Sequence, residues 1–253
     1  MKTRFFLAIA IMTLFAAVAS AQSAIIYGSL TLPRGAFGEK NIYRNAFSSD
    51  YGNQGGAQTG FNIGVKYMKP FPDSEFSWFL SADFFYNGLD SDLKDEIGRY
   101  TQDATQQIIR ETIQDNSFVF DYFELKFPHY YNIPLMAGVN CSLFNLSKDC
   151  SFWMECGLGA NFRKISDLKE TVEYNDEHYE STCTFDETFT MAYQASAGLK
   201  FQDRIMIGVG YYNLGADVIN AKIISNSTGD WKKQKTNEKL EISMLTVRLG
   251  LIF

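Results

Sequence analysis

Eight amphipathic runs, joined by connections that alternate strictly between long and short, constrain this chain more than any other feature. The runs fall at 24–32, 59–68, 76–88, 121–144, 151–164, 188–201, 204–217 and 240–253, and each has the two-residue period of a strand. In 76–88, Phe76, Trp78, Leu80, Ala82, Phe84 and Tyr86 make one apolar file, and Ser77, Phe79, Ser81, Asp83, Phe85 and Asn87 a mixed one. The run 188–201 repeats this with Phe189, Met191, Tyr193, Ala195, Ala197, Leu199 and Phe201 against Thr190, Gln194, Ser196, Gly198 and Lys200. Long connections span 33–58, 89–120, 165–187 and 218–239; short ones span 69–75, 145–150 and 202–203. An even strand count with short turns at one end and long loops at the other predicts an all-β fold. It is an eight-stranded antiparallel up-and-down transmembrane β-barrel with short periplasmic turns and four long extracellular loops.

A water-soluble sandwich alternates in the same way, with its apolar face inward, so the placement of aromatic residues decides between the two. On the lipid-facing parity, Tyr67, Phe76, Phe152, Phe201 and Phe253 fall beside the short turns or the C-terminus, and Phe61, Tyr86, Phe162, Phe189 and Tyr211 fall towards the long loops. That is the pattern of two interfacial girdles. The ten residues from Phe76 to Tyr86 rise about 25 Å at roughly 3.3 Å each and a tilt of about 40°. The apolar band of such a barrel has the same height.

A barrel of this kind must be exported, and the N-terminus reads as a leader. Lys2 and Arg4 precede an apolar stretch at 5–18 and a small-residue "ASA" at 19–21, which predicts a signal peptide at 1–21 and a barrel domain at 22–253. Residue 22 is Gln, so no lipoprotein anchor is expected. The 23 basic and 29 acidic side chains lose Lys2 and Arg4 with the leader, taking the net charge from −6 to −8. An acidic chain argues against a nucleic-acid partner.

The leader, the eight runs and the terminal "VRLGLIF" resemble the outer-membrane β-barrel domain family of Gram-negative bacteria, and are similar in plan to the membrane domain of outer membrane protein A. The resemblance covers the mature chain. It implies an outer-membrane location and a surrounding of outer-membrane lipid and lipopolysaccharide. It also implies assembly by the barrel-assembly machinery, which in that family reads a C-terminal aromatic preceded by alternating apolar residues. Leu245, Val247, Leu249, Leu251 and Phe253 stand at those positions. Such a resemblance is specific for architecture and weak for chemistry.

On the inward parity lie Lys66, Asp83, Glu155, Lys200 and Arg248, with Asn62, Asn140 and Gln194 on the same face. An eight-stranded lumen is just wide enough to be filled by side chains, so these charges must pair or be hydrated. A salt-bridged plug is preferred over a proton or small-ion path, with Arg248 expected to meet Glu155 or Asp83, and no stable open pore is expected. The third loop carries Asp167, Glu170, Glu173, Asp176, Glu177, Glu180, Asp186 and Glu187 against Lys169, without the ligand spacing of a calcium loop, and reads as a solvated acidic loop. The fourth, with Lys222, Lys232, Lys233, Lys235 and Lys239, has the opposite sign and could face either the acidic loop or lipopolysaccharide phosphates. In the second, Ile108, Ile109 and Ile113 suggest one face of a short helix begun by Thr101 or Asp103. The long run at 121–144 is expected to rise above the membrane as one extension where a partner docks.

Catalysis would need a nucleophile and a base, and the chain has two histidines. His129 lies on lipid-facing parity and His178 in the acidic loop; "HYYN" and "HYES" do not match the His-x-Ser pair of lipid A deacylases. Four cysteines in an exported chain raise the question of disulfides. A tight turn at Lys148 and Asp149 would set Cys141 opposite Cys156; two small apolar residues facing lipid are preferred over a bond between them, and Cys150 and Cys183 cannot meet. No cofactor, metal or catalytic residue is expected. The leading function is a non-enzymatic barrel displaying loops for surface interaction, adhesion or envelope integrity, with an extracellular or envelope protein as partner. A narrow channel or transporter for small solutes ranks second and a lipid-modifying enzyme third.

Overall fold

The computed structural model of the chain describes residues 23–45, 52–114, 118–174, 177–225 and 232–253, and the leader lies outside them. In chain order the strands and helix are β1 (Ser23–Arg34), β2 (Gly60–Pro70), β3 (Phe76–Gly88), α1 (Ser91–Ile113), β4 (Tyr122–Lys126), β5 (His129–Ser147), β6 (Cys150–Ile165), β7 (Leu168–Tyr174), β8 (Glu177–Phe185), β9 (Thr188–Phe201), β10 (Ile205–Ser225) and β11 (Lys232–Ile252). Eight of the strands follow one another as antiparallel neighbours in the order β1, β2, β3, β5, β6, β9, β10, β11. β11 pairs with β10 on one side and with β1 on the other, from Ile25 opposite Ile252 to Arg34 opposite Ser243, so the ring is closed. Closure leaves no exposed edge within the ring, which is the condition for a sheet to sit in hydrocarbon.

Alternation decides which way each side chain points. Leu30, Leu158, Met191 and Leu249 on the outer wall are 60, 65, 75 and 59% exposed, whereas Tyr27, Phe85, Met136 and Tyr212 on the inner wall are buried. An outer wall this apolar is a liability in water and the required surface in lipid. The ring is therefore a transmembrane β-barrel. The start of β1, the end of β11 and the turns at 71–75, 148–149 and 202–204 lie at one end, the periplasmic end of the predicted plan.

At the opposite end the structure departs from the loop pattern read from the sequence. The run 121–144 is two strands, broken at Phe127 and Pro128: β4 leaves the ring and pairs with β7, and β5 stays in it. Proline lacks the N–H that a continuous ladder needs. The acidic third connection is not an open loop but the β7–β8 hairpin, with Leu168 opposite Cys183 and Tyr174 opposite Glu177. The β-favouring residues Thr171, Val172, Tyr174, Tyr179, Thr182 and Thr184 suit a strand more than carboxylate count disfavours it. The fourth connection is likewise mostly strand. β10 and β11 are 21 residues each, about twice the roughly 9–11 that cross a bilayer. Beyond the ring, β11, β10, β8, β7 and β4 form a second sheet continuous with the barrel wall.

Helix α1 covers one side of this extension. It begins ten residues before Thr101 and is capped by Asp90, whose Oδ1 accepts from the backbone N–H of Asp92 at 3.1 Å and of Leu93 at 3.4 Å. Its buried face is Leu93 and Ile97, packed with Ile42 and Leu89; of the expected isoleucine face, Ile108 is exposed and Ile109 half-buried, and the side chain of Ile113 lies outside those described. Farther along, Gln106 Nε2 and Arg110 Nε both donate to the Phe118 carbonyl, at 2.8 and 2.9 Å, and Thr105 donates to Glu170 at 3.1 Å. Lys40 Nζ lies 2.7 Å from Asp90. Burial raises the Asp90 carboxyl, but the Lys40 ammonium and the two capping amides outweigh it and hold the carboxyl below its usual value. A depressed carboxylate stabilises the fold above its unfolded pKa, and that stabilisation is lost as pH falls through the folded value. Replacing Asp90 by alanine should speed amide exchange in the first turn of α1 about fivefold, matching the ~1 kcal/mol of a lost cap. Acid below the usual carboxylate range should do the same to the parent protein.

Candidate functional site

Inside the ring, alternation brings polar side chains from six strands, β1, β2, β3, β6, β10 and β11, into one network. Glu155 on β6 is at the centre: one carboxylate oxygen accepts from Lys66 on β2, and the other from Arg248 Nη1 on β11 at 2.8 Å. All three side chains are buried. Arg248 also donates to the Tyr212 hydroxyl on β10, and its guanidinium lies 4.3 Å from the centroid of the Tyr27 ring on β1. Tyr27 in turn donates to Asp83 Oδ1 on β3 at 2.8 Å, and Asn62 Nδ2 donates to the same oxygen at 3.0 Å. The Lys66 ammonium sits 4.6 Å from the Phe79 ring centroid. Four of the five inward charges, Lys66, Asp83, Glu155 and Arg248, thus share one network.

Lys200 is not part of it. Its ammonium lies 2.9 Å from Asp203 across the β9–β10 turn at the short-turn end, where Gln202 and Asp203 adopt positive φ. Arg163, absent from the sequence-derived set, is buried farther up β6, towards the long loops, and donates weakly to the Leu240 carbonyl at 3.5 Å. Tyr27 and Tyr212 were also missed. Their inward parity was legible, but which side chains meet across a barrel depends on the stagger of all eight strands.

The lumen is packed through glycine. A Cβ on Gly64 would lie 2.5 Å from both the Tyr27 ring and Asp83 Oδ1; one on Gly157 would lie 2.9 Å from Phe79, and one on Gly208 2.6 Å from Trp153. Each large ring therefore occupies space that a neighbouring strand vacates. Above the network, the connection after β1 folds inward. Phe37 is buried edge-on against Tyr130 at 4.9 Å, and the Tyr130 hydroxyl donates to the Gly55 carbonyl at 2.6 Å. The long-loop end of the lumen is covered by this connection.

The ten aromatic residues read as girdles all lie on the outer wall. Phe61 and Tyr86 are in ring contact at 5.3 Å, Phe162 and Phe189 at 5.2 Å, and Tyr211 meets Tyr193 at 6.2 Å, all towards the long loops. At the other end Tyr67 meets Trp78 at 5.1 Å and Phe152 stacks on Phe144 at 5.3 Å, with Phe76, Phe201 and Phe253 at the same rim. Leu245, Val247, Leu249 and Leu251 face outward in β11. Phe253 is tied to Ala24 by two backbone hydrogen bonds, at 2.8 and 3.1 Å.

The His129 backbone N–H donates to the Ser166 hydroxyl at 2.9 Å. His129 stacks on Tyr86 at 5.4 Å on the outer wall, and His178 Nδ1 is 3.2 Å from Glu173 in the hairpin. Cys141 does not face Cys156. Two bulges in the β5–β6 ladder, between Ser142 and Phe144 and between Asn145 and Ser147, shift the register so that Cys141 opposes Met154 and Cys156 opposes Val139. All four cysteines are free thiols, and burial together with the Asp167 carboxylate pushes the Cys183 thiol up to about 11. Lys232, Lys233 and Lys235 lie on β11 opposite Ile223, Lys222 and Asn220. The acidic hairpin flanks the other edge of the same β10 segment.

No protein-family model and no curated protein matches the chain. Among solved structures it is similar to the Neisserial surface protein A, at 8% identity and a TM-score of 0.40, covering 91% of this chain and 94% of that one. It is also similar to the outer membrane protein OprG of Pseudomonas aeruginosa, at 12% identity and a TM-score of 0.47, covering 92 and 96%. A major outer membrane protein from Thermus thermophilus is similar at 11% identity and a TM-score of 0.44, covering 91 and 98%. The class of the protein, a transmembrane β-barrel of eight strands, rests on the closed ring and its apolar outer wall.

Proposed function

We propose that this protein is a non-enzymatic outer-membrane barrel whose function lies in the sheet and helix it raises above the membrane, as a surface for interaction, adhesion or envelope integrity. The observation that carries the proposal is the continuity of β10 and β11 from the barrel wall into that sheet. Strands that overrun the bilayer by half their length, together with β4, β7, β8 and α1, build a platform of paired strands and helix. Lipid and lipopolysaccharide would surround the two girdles, and the barrel-assembly machinery would meet the outward file ending at Phe253. Replacing 168–185, the β7–β8 hairpin, with a short turn should leave a heat-modifiable barrel in the outer membrane and abolish attachment to host cells or raise envelope sensitivity to detergent. A variant that inserts normally and changes neither property would refute the proposal.

The channel reading is disfavoured by the lumen itself. Charges held in pairs, rings seated on glycines and a folded-in first connection leave the interior occupied. Planar-bilayer recordings of the purified protein should therefore show no steady, large conductance; its appearance would restore the channel as the leading function.

A further inference from the structure

The outer wall across β5, β6, β9 and β10 is not evenly filled. Cys141 and Ala197 flank Met154 on one rung, and on the next rung Cys156 faces Ala195, so four small side chains fall together. Met154, Leu158, Val209 and Tyr193 around them are 47, 65, 61 and 46% exposed. The result is a recess. A cavity of about 490 Å³ runs from Phe76 and Cys141 at the short-turn side to Tyr211 and Leu245. A second of about 490 Å³, sharing Val139 and Cys156 with the first, extends it to Leu158 and Tyr193. Glu155 borders the floor, but its side chain is turned into the lumen and fully buried.

One end of the recess is polar. Towards the long loops Tyr193 meets Tyr211 at 6.2 Å between ring centroids, and it is in polar contact with Asn213, its partner on β10. Asn213 is buried, its Oδ1 accepting from the Gly215 backbone N–H at 2.9 Å and its Nδ2 donating to Glu241. Glu241 itself is exposed, on the outward parity of Leu245 and Val247. The cluster therefore presents a carboxylate and two phenol oxygens at the outer-leaflet end of an apolar trough. A carboxylate there repels phosphate and accepts from N–H and O–H donors, and charge-assisted hydrogen bonds of that kind are the stronger ones.

We propose that the recess is a lipid site: it holds one extended acyl chain of an outer-leaflet lipid, and Tyr193, Tyr211 and Glu241 receive the hydrogen-bond donors of that lipid's head. The trough lies between the two aromatic girdles, where hydrocarbon replaces water. Left unfilled, its lining would lose dispersion contacts outright, and a flexible chain can follow the floor from Tyr193 down to Phe76. This is a property of the membrane wall, separate from anything the extracellular sheet does.

Photolabelling tests this on the full chain folded into phosphatidylcholine vesicles. The vesicles carry a small fraction of phosphatidylethanolamine or phosphatidylcholine with a diazirine in one acyl chain; the two probes have the same net charge and differ in the N–H donors of the head. Peptide mapping should place phosphatidylethanolamine adducts on 154–158 and 193–197 at least about fivefold above those on β2 and β3, and about fivefold above phosphatidylcholine adducts at the same peptides. Ala195→Trp, which fills the trough, should bring labelling down to the β2 and β3 level. Glu241→Ala should make the two probes equal. Heat-modifiable gel mobility confirms the barrel in each variant. Uniform labelling around the parent barrel, or enrichment that survives Ala195→Trp, would show ordinary lipid contact and overturn the proposal. Equal labelling by the two probes in the parent, or a preference unchanged in Glu241→Ala, would remove the head site and overturn it as stated. Unlabelled protein that oxidises to a dimer through Cys156 would assign the face to a second copy instead.

Discussion

Replacing Glu155 by glutamine should cost about 3–5 kcal/mol of barrel stability, read as a fall in the urea midpoint for unfolding from phospholipid vesicles. The carboxylate is shared between two buried cations, Lys66 and Arg248, and the substitution leaves both without their counter-charge. Breaking a buried pair from one side is far more damaging than removing it whole. The double variant Lys66→Met with Glu155→Gln should therefore recover at least half of the loss. Arg248 keeps the Tyr212 hydroxyl and the Tyr27 ring in either background. An unchanged midpoint for Glu155→Gln would show that the network is hydrated enough to be electrostatically unimportant.

Gly64→Val should be similarly severe, for steric rather than electrostatic reasons. A Cβ there meets the Tyr27 ring and the Asp83 carboxylate at 2.5 Å, and both groups are pinned by their mutual hydrogen bond and by Asn62. Forcing them apart costs the overpacking energy of about 1–3 kcal/mol plus the hydrogen bonds, so a total near ~3 kcal/mol or more is expected. Gly28 provides the control in the adjacent strand. It faces outward, its added Cβ would approach only the Asn62 carbonyl at 3.8 Å, and Gly28→Val should leave the midpoint unchanged. Loss of stability in both variants would indicate a strand-propensity effect instead of lumen packing.

Much of this architecture was legible because a closed barrel in lipid imposes one rule, apolar outward, on every strand. The file from Leu245 to Phe253 shows it without reference to any other part of the chain. Features that depend on two strands at once were harder to read. The Cys141–Cys156 register failed because two bulges each add a residue to one strand, and neither Leu143 nor Leu146, the added residues, signals a bulge by its identity. Lys200 shares inward parity with Lys66, but the tight β9–β10 turn puts Asp203 within its reach. The acidic third connection reads as a loop because its charge count masks the β-favouring Thr, Val and Tyr residues interspersed in it. Helix α1 was found from its C-terminal half alone, although Asp90 followed by Leu93 and Ile97 marks its start.

One strand, β10, belongs to two sheets at once, contributing Ile205 to Asn213 to the ring and Ala221 to Ser225 to the pairing with β8. A pull on the outer sheet, directed away from the cell, would load β10 lengthwise. Its ladders to β9 and β11 run along that direction, so their hydrogen bonds would share the load in shear instead of parting one after another as in a peeled strand. The barrel thereby serves the raised sheet as a mechanical anchor, and tension on it would be resisted by the full depth of the wall.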